Sequence, residues 1–264
     1  IKYKQKDYQG AESYFKRVLN EYNLNDIECK TATKGLQDIY RATRQQEKIT
    51  EIAQKYPCAE ITEDDQESFY YETANELYLD ENYDEAIPEI NKYLNEYPNG
   101  RFSIQLTSYL ADIYYQSDQK GQALALYEKI IEKPTSAYTE EALIRASKTL
   151  YNEEEYDRAL PYYARLEKLA STPHVIYNTR VGLMRCNYLL EFYPNASEIA
   201  RKVVKNQLAS DNIQLEANYI AGMSLYKQKL YEKAIPYLKT TEQKNDGERG
   251  TEALYTIADC HYKL

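Results

Sequence analysis

The chain has no tryptophan, and only four phenylalanines, two methionines and two histidines among its 264 residues. Glycine and proline are scarce at eight each, which argues against a sandwich or barrel built on many tight turns. The four cysteines, Cys29, Cys58, Cys186 and Cys260, lie far apart and show no CxxC pair or zinc spacing. They read as small buried apolar groups and do not settle the redox compartment. His174, in a Thr-Pro-His-Val turn, and His261 have no partner at a metal-ligand spacing that stands out. GxSxG, Walker A and GxGxxG motifs are absent. No apolar run approaches roughly 18 residues, so no membrane-spanning helix is expected. The expectation is a non-catalytic protein without metal or cofactor.

Positive charge is missing locally as well as in sum. Net charge is −9 with no evident basic stripe, so nucleic acid is not an expected partner. From Tyr56 to Asn91 there is no Lys or Arg, while Glu60, Glu63, Asp64, Asp65, Glu67, Glu72, Glu76, Asp80, Glu81, Asp84, Glu85 and Glu89 all fall inside. This segment is either a solvated face plus a loop, or a docking surface for a cationic partner. The chain opens at Ile1 with neither Met nor a signal sequence, so any targeting segment is expected to be removed or to lie outside it.

What the chain does have is tyrosine, 30 of them, within a 43% apolar composition. A core built on Tyr must place its hydroxyls at water or a polar partner, which suits thin two-layer architectures. It also has a repeat. Five segments superpose on one alanine: YDEAIPEI, KGQALALY, YDRALPYY, YPNASEIA and YEKAIPYL. Their alanines, Ala86, Ala123, Ala159, Ala196 and Ala234, are 37, 36, 37 and 38 residues apart. YQGAESYF with Ala11 is an earlier copy and Gln45–Pro57 a degenerate one. Twelve residues before each alanine stand Ala74, Ala111, Ser147, Met184 and Gly222, small in all but one, and Ala258 repeats the position. Nine before it stand Leu77, Tyr114, Leu150, Asn187 and Leu225.

Each unit reads as two helices. The first carries apolar residues at helical spacing, such as Leu106, Leu110, Ile113 and Tyr114. A polar turn follows, such as Asp80-Glu81-Asn82. The second helix is expected to start with a capping Asp84 or Asp157 and to hold Pro88, Pro161 and Pro236 in its first turn. It stops at a breaker, Pro98 or Pro134. Small residues at both crossing points allow the helices to approach within about 8–10 Å. Met184 breaks that rule and predicts a splayed or shifted fifth unit.

These residues resemble the tetratricopeptide repeat, W-x2-L-G-x2-Y…A-x3-F…P. One unit reads Leu110-Ala111-x2-Tyr114…Ala123-x3-Tyr127…Pro134, and the last full one supplies Gly222, Leu225, Ala234 and Leu238. The leading aromatic is erratic: Tyr70 fits, Thr107 and Leu143 do not. The resemblance covers essentially the whole chain and implies an all-α fold, an α-α right-handed superhelix of about seven helix pairs counting partial ones. It divides residues 1–264, as one array, into units at approximately 1–25 (partial), 26–66 (degenerate), 67–103, 104–139, 140–176, 177–214, 215–248 and 249–264 (partial). Both ends fall inside repeats, and further repeats are expected outside the chain. The 36–38 residue period and phrases such as ENYDEAIPEINKYLNEYPNG are similar to bacterial cell-envelope repeat proteins. These include the Tol-Pal-associated coordinator, the β-barrel-assembly lipoprotein and Tyr-rich Bacteroides-type proteins. That likeness implies a periplasmic or outer-membrane-associated place, with a cytoplasmic one left open.

In this family the first helices line a concave groove that holds a protein or peptide. By position, the groove residues are Tyr71, Asn75 and Tyr78; Ser108, Asp112 and Tyr115; Ile144, Lys148 and Tyr151; Val181, Arg185 and Tyr188; and Tyr219, Met223 and Tyr226. Tyr78, Tyr115, Tyr151, Tyr188, Tyr226 and Tyr262 share one register in six successive units. They either pack between helices or form a ladder able to stack on an extended peptide. A carboxylate clamp is not expected, since only Asn75 survives of its residues. The resemblance therefore implies an interaction scaffold. The alternatives are a regulatory or sensory array joined to a signalling or catalytic domain outside the chain, and a self-associating spacer.

Overall fold

The computed structural model describes residues 7–244 and 247–264; the expected opening of the first copy, at residues 1–6, lies outside them. Among the described residues there are fourteen α-helices and no strand. In chain order they are α1 (Tyr8–Glu21), α2 (Asp26–Ala42), α3 (Gln46–Lys55), α4 (Glu63–Leu79), α5 (Tyr83–Glu96), α6 (Ser103–Gln116) and α7 (Lys120–Glu132). Then come α8 (Thr139–Asn152), α9 (Tyr156–Leu169), α10 (Pro173–Leu189), α11 (Tyr193–Val204), α12 (Asp211–Lys227), α13 (Tyr231–Lys244) and α14 (Glu248–Lys263). A short 3-10 turn, Pro57–Ala59, precedes α4. The helices pack as two compact bodies, one ending at Ile113 and the other beginning at Tyr114.

The constant registers have a backbone cause. Each first helix of a pair ends in a left-handed residue: Arg44, Glu81, Asp118, Glu154, Glu191 and Lys229 have φ between 54° and 62°. The next N–H returns to the carbonyl five residues back, as in Asn82 N to Leu77 O (3.0 Å), Glu155 N to Leu150 O (2.9 Å) and Leu230 N to Leu225 O (2.9 Å). This 6→1 closure satisfies carbonyls that the helix end would otherwise leave unpaired. The position nine before the alanine is therefore the acceptor of the turn. The neighbouring carbonyl, at the ladder tyrosine, takes the second bond, as in Glu81 N to Tyr78 O (3.1 Å).

That turn feeds the second helix directly, and two expectations are corrected by it. Asp84 and Asp157 do not cap; the cap positions are Asn82 and Glu155, neither with a side-chain cap bond. The helices start three residues before the alanine, which puts Pro88, Pro161 and Pro236 inside the helix, in its second turn. There each proline withholds one intrahelical donor from the carbonyl four residues back. The prolines lie on the exposed face, where water can serve that carbonyl. Side-chain caps belong instead mostly to first helices: Asn25 with Glu28 and Thr62 with Asp65 form capping boxes, and Thr172 and Ser210 each accept an N–H.

Packing follows a second register, four residues after the alanine. Gly222 faces Leu238, whose side chain stands 2.6 Å from where a Cβ would sit. Met184 is fully buried with Ala196 and Ala200 in one core cluster. The fifth unit is therefore closed rather than splayed: a large residue on the first helix meets a small one, Ala200, on the second. Small residues also occur on the following first helix, where Gly182 leaves room for the Tyr163 ring and Gly35 for Phe15.

Two cysteine expectations divide. Cys186 and Cys260 are buried and free. Cys29 and Cys58 are not simply buried apolar groups: they form a disulfide, Cα–Cα 6.0 Å, tying α2 to the 3-10 turn. At the other end of the chain Leu254, Tyr255, Ala258 and Tyr262 of α14 are exposed.

Candidate functional site

The tyrosine ladder is half-buried at Tyr78, Tyr115, Tyr151, Tyr188 and Tyr226 and bare at Tyr262, which is 89% exposed. A recurrent neighbour is the tyrosine opening the second helix of the pair. Tyr78 meets Tyr83 at 6.1 Å, Tyr151 meets Tyr156 at 5.4 Å, Tyr188 meets Tyr193 at 6.3 Å and Tyr226 meets Tyr231 at 5.8 Å between centroids. Ring bodies are thus packed while one edge of each remains accessible.

In the body ending at Ile113, Tyr78 stacks on Tyr109 (3.8 Å, 4° between planes) and Tyr71 stacks on Phe102 (3.8 Å, 10°). Asn75 Oδ1 accepts from the hydroxyls of Tyr71 (3.2 Å) and Tyr109 (3.1 Å), and Gln105 donates to both rings' oxygens. This locked aromatic and amide patch joins α4 to α6. Asp112 lies close enough to help raise the Tyr78 hydroxyl, which burial chiefly pushes up to about 12. Ser108 is buried and does not present itself to a ligand.

The acidic segment falls in the same body. Glu60 pairs with Lys30 (2.7 Å), Glu85 with Arg44 (2.5 Å) and Glu72 with Arg41 (3.9 Å), and Glu67 accepts from Tyr93 (2.5 Å). Glu63, Asp64, Glu76, Asp80, Glu81 and Asp84 are exposed and have no ion pair among the described residues. A cleft of about 400 Å³ opens beside them, lined by Asp38, Glu72 and Glu76, with the Arg41 guanidinium lying over the Phe69 ring at 3.7 Å.

The body beginning at Tyr114 holds a larger cleft, about 620 Å³. It brings together Ile144, Lys148 and Tyr151 of α8 with Val181 and Arg185 of α10, five of the positions named from sequence. Arg185 is fixed by a two-bond fork to Glu216 on α12, Nε to Oε1 at 2.8 Å and Nη2 to Oε2 at 2.6 Å. That carboxylate raises the Arg185 pKa. Burial raises the Tyr151 and Tyr177 hydroxyls and pushes Tyr163 up to about 12, so these rings meet a ligand as neutral donors. Sequence reasoning missed Tyr163 and Leu166 of α9, Tyr177 and Asn178 of α10, Leu208 in the connection before α12 and Ile213 in its first turn, all in the lining. Only Tyr163 carried a signal, four residues after Ala159 and opposite Gly182.

The remaining ladder positions stand apart from this cleft. Tyr115 carries the Arg145 guanidinium over its ring at 4.6 Å. Tyr188 packs edge-on to Tyr219, whose hydroxyl donates to Glu252 (2.5 Å). Tyr226 donates to Asp259 (2.5 Å) and accepts from Lys263 (3.1 Å). Met223 is buried. Among the described residues no group of three or more His, Cys, Asp or Glu is placed to hold a metal ion, and no helix is long and apolar enough to cross a membrane.

No protein-family model and no curated protein sequence matches the chain. Solved structures do. The chain is similar to YrrB, described as a TPR protein with an unusual peptide-binding site, at 18% identity and TM-score 0.51 over 71% of this chain and 91% of that one. It is also similar to the C-terminal part of a TPR repeat-containing protein from Cytophaga hutchinsonii, at 13% identity and TM-score 0.49 over 96% of each chain. A third is MamA of AMB-1, at 14% identity and TM-score 0.49 over 73% of this chain and 98% of that one. The YrrB likeness shows the fold: paired helices of tetratricopeptide type.

Proposed function

We propose that this chain is a non-catalytic interaction scaffold that captures an extended protein or peptide segment on the face of its first helices. The observation that carries this reading is the α8–α10 cleft. It gathers equivalent positions of two successive repeats, and its half-buried tyrosines offer large contact area at low rotamer cost. A repeat with period 36–38 residues offers the same positions again, so Tyr115, Tyr188, Tyr219 and Tyr226 are the further contacts in this body, and Tyr71, Asn75, Tyr78 and Asp112 are the equivalent positions of the other body, taken by itself. The peptide-binding site in the description of YrrB is in keeping with it. The exposed carboxylates near α4, and the cleft lined by Asp38, Glu72 and Glu76, favour a cationic segment at the other body.

The compartment belongs to the same proposal. A disulfide persists where the surroundings are oxidising, so Cys29–Cys58 supports an envelope location over a cytoplasmic one. The test of the groove is Tyr115→Ala with Tyr151→Ala, assayed against peptides selected from a random library on the wild-type chain. Binding should weaken at least about tenfold, the loss of one to two aromatic contacts, with the helical circular dichroism unchanged. Loss of the helical signal would instead make these tyrosines core and end the reading.

A further inference from the structure

The large cleft has a charge character opposite to that of the chain. Seventeen residues line it and none is an Asp or Glu, although the sequence has 42 carboxylate side chains. The lining has two cations, Lys148 and Arg185, and two amides, Asn152 and Asn178. Lys148, Asn152 and Asn178 are exposed, and their side chains make no hydrogen bond or ion pair among the described residues. Two neighbouring carboxylates are already engaged, Glu216 with Arg185 and Glu167 with Arg180 at 2.8 Å, while Asp211 and Glu153, next in sequence to the lining residues Ser210 and Asn152, are exposed and outside the lining. Below this polar rim the walls are Tyr151, Tyr163, Leu166 and Val181.

We infer that the occupant of this cleft is an acidic peptide segment, with an aliphatic or aromatic side chain seated on the tyrosine and leucine wall and a neighbouring Asp or Glu reaching Lys148. The inference rests on the reading of the cleft as a peptide site and names the chemistry that site selects. Three features favour the assignment. A carboxylate entering the cleft meets no like charge on the lining, whereas a Lys or Arg would meet Lys148 with nothing to neutralise it. The two free amides and the neutral tyrosine hydroxyls supply donors for backbone carbonyls and for the carboxylate's remaining lone pairs. Arg185 is charge-balanced by its fork to Glu216, which leaves Lys148 as the unpaired charge of the lining. Selection at Lys148 is a matter of rim charge, so it acts on association rate and salt dependence more than on the buried wall contacts.

The test is a random-sequence peptide library displayed and selected on the 264-residue chain, keeping only peptides whose binding is lost in Tyr151→Ala. That filter removes ligands of the acidic body. The retained peptides are expected to carry Asp or Glu beside a bulky apolar residue. Lys148→Glu should weaken them by about tenfold, while Lys148→Arg binds as wild type; Lys148 is exposed, so neither change should disturb folding. Retained peptides that are neutral or basic, or that ignore Lys148→Glu, would overturn the acidic specificity and leave the peptide cleft standing. If no peptide is retained, both fall.

Discussion

At the residue scale, the most informative position is Met184, because it breaks the sequence rule and the structure shows why it can. Its bulk is accommodated by Ala200, the residue that in other pairs is Leu238 or Tyr163. Met184→Ala should cost about 2–4 kcal/mol by opening a cavity, and Ala200→Leu alone about 1–3 kcal/mol by overpacking. Together they should lose at least about 1 kcal/mol less than the sum, measured by urea unfolding; strict additivity would show that the two side chains do not exchange volume. Asn187 is the opposite case. It occupies the register of Leu77, Leu150 and Leu225, is 2% exposed, and donates to Leu183 O (2.8 Å), while its Oδ1 is buried without a partner. Asn187→Leu should stabilise the chain by about 1–2 kcal/mol, and a loss of stability would mean that this oxygen is served in solution. The small-residue rule was legible in sequence, but its complement was not. Complementarity links two registers sixteen residues apart, and a search for one repeated residue type sees each alone.

At the element scale, the alternation of helices was legible because the alanine register marks helix interiors. The starts of second helices were not, because they are set by backbone hydrogen bonds that no side chain announces. The turn closing on Leu77 or Leu150 delivers the chain into the second helix already positioned, which is why Asp84 and Asp157 are first-turn acids near the helix dipole rather than caps. The αL residue of that turn carries a Cβ in every pair, being Arg, Glu, Asp or Lys and never Gly. An L-residue there costs about 1–2 kcal/mol, partly offset by the larger unfolded-state entropy of glycine. Glu154→Gly is therefore expected to raise stability by about 0.5–1 kcal/mol, and Glu154→Val to lower it, since a β-branched side chain fits αL worst. The order of melting temperatures Gly, Glu, Val checks the assignment; any order with Val above Glu contradicts it. The candidate site was legible to the same extent. Five cleft positions followed from the first-helix register, whereas Leu208 comes from the connection into α12, whose path periodicity does not fix, and Ile213 from the first turn of α12.

At the scale of the whole molecule, net charge and cross-linking are confined to one body and tyrosine is spread through both. Residues up to Ile113 carry 13 Lys and Arg against 22 Asp and Glu, and those from Tyr114 carry 20 of each, so the entire net charge of −9 lies in the first body. The disulfide is there too, closing a separation of 29 residues. Reduction should lower the stability of that body by about 2–4 kcal/mol, raising amide exchange in α2 and α3 while leaving α10 to α13 unchanged; uniform loss of protection would show that the bodies unfold as one. Tyrosine imposes a condition on both. Burial pushes the hydroxyls of Tyr40, Tyr70 and Tyr78 in the first body, and of Tyr162 and Tyr163 in the second, up to about 12. In the unfolded chain they ionise near 10. The folded state therefore holds its phenolic protons where the unfolded state releases them. The resulting stabilisation is complete below about pH 10 and is lost as pH rises towards 12. Burial acts in the same sense on the Cys186 thiol, also pushed up to about 12. Exposed Lys–carboxylate pairs that discharge over the same range contribute little. Unfolding midpoints in urea should thus hold from pH 7 to 9 and fall steeply from pH 10 to 12, with the full tyrosinate absorbance reached only as helix is lost. Tyrosinate absorbance that reaches its full value near pH 10 on an intact helical signal would mean that the buried rings too are open to water and that the phenylalanine-poor core is held by other contacts.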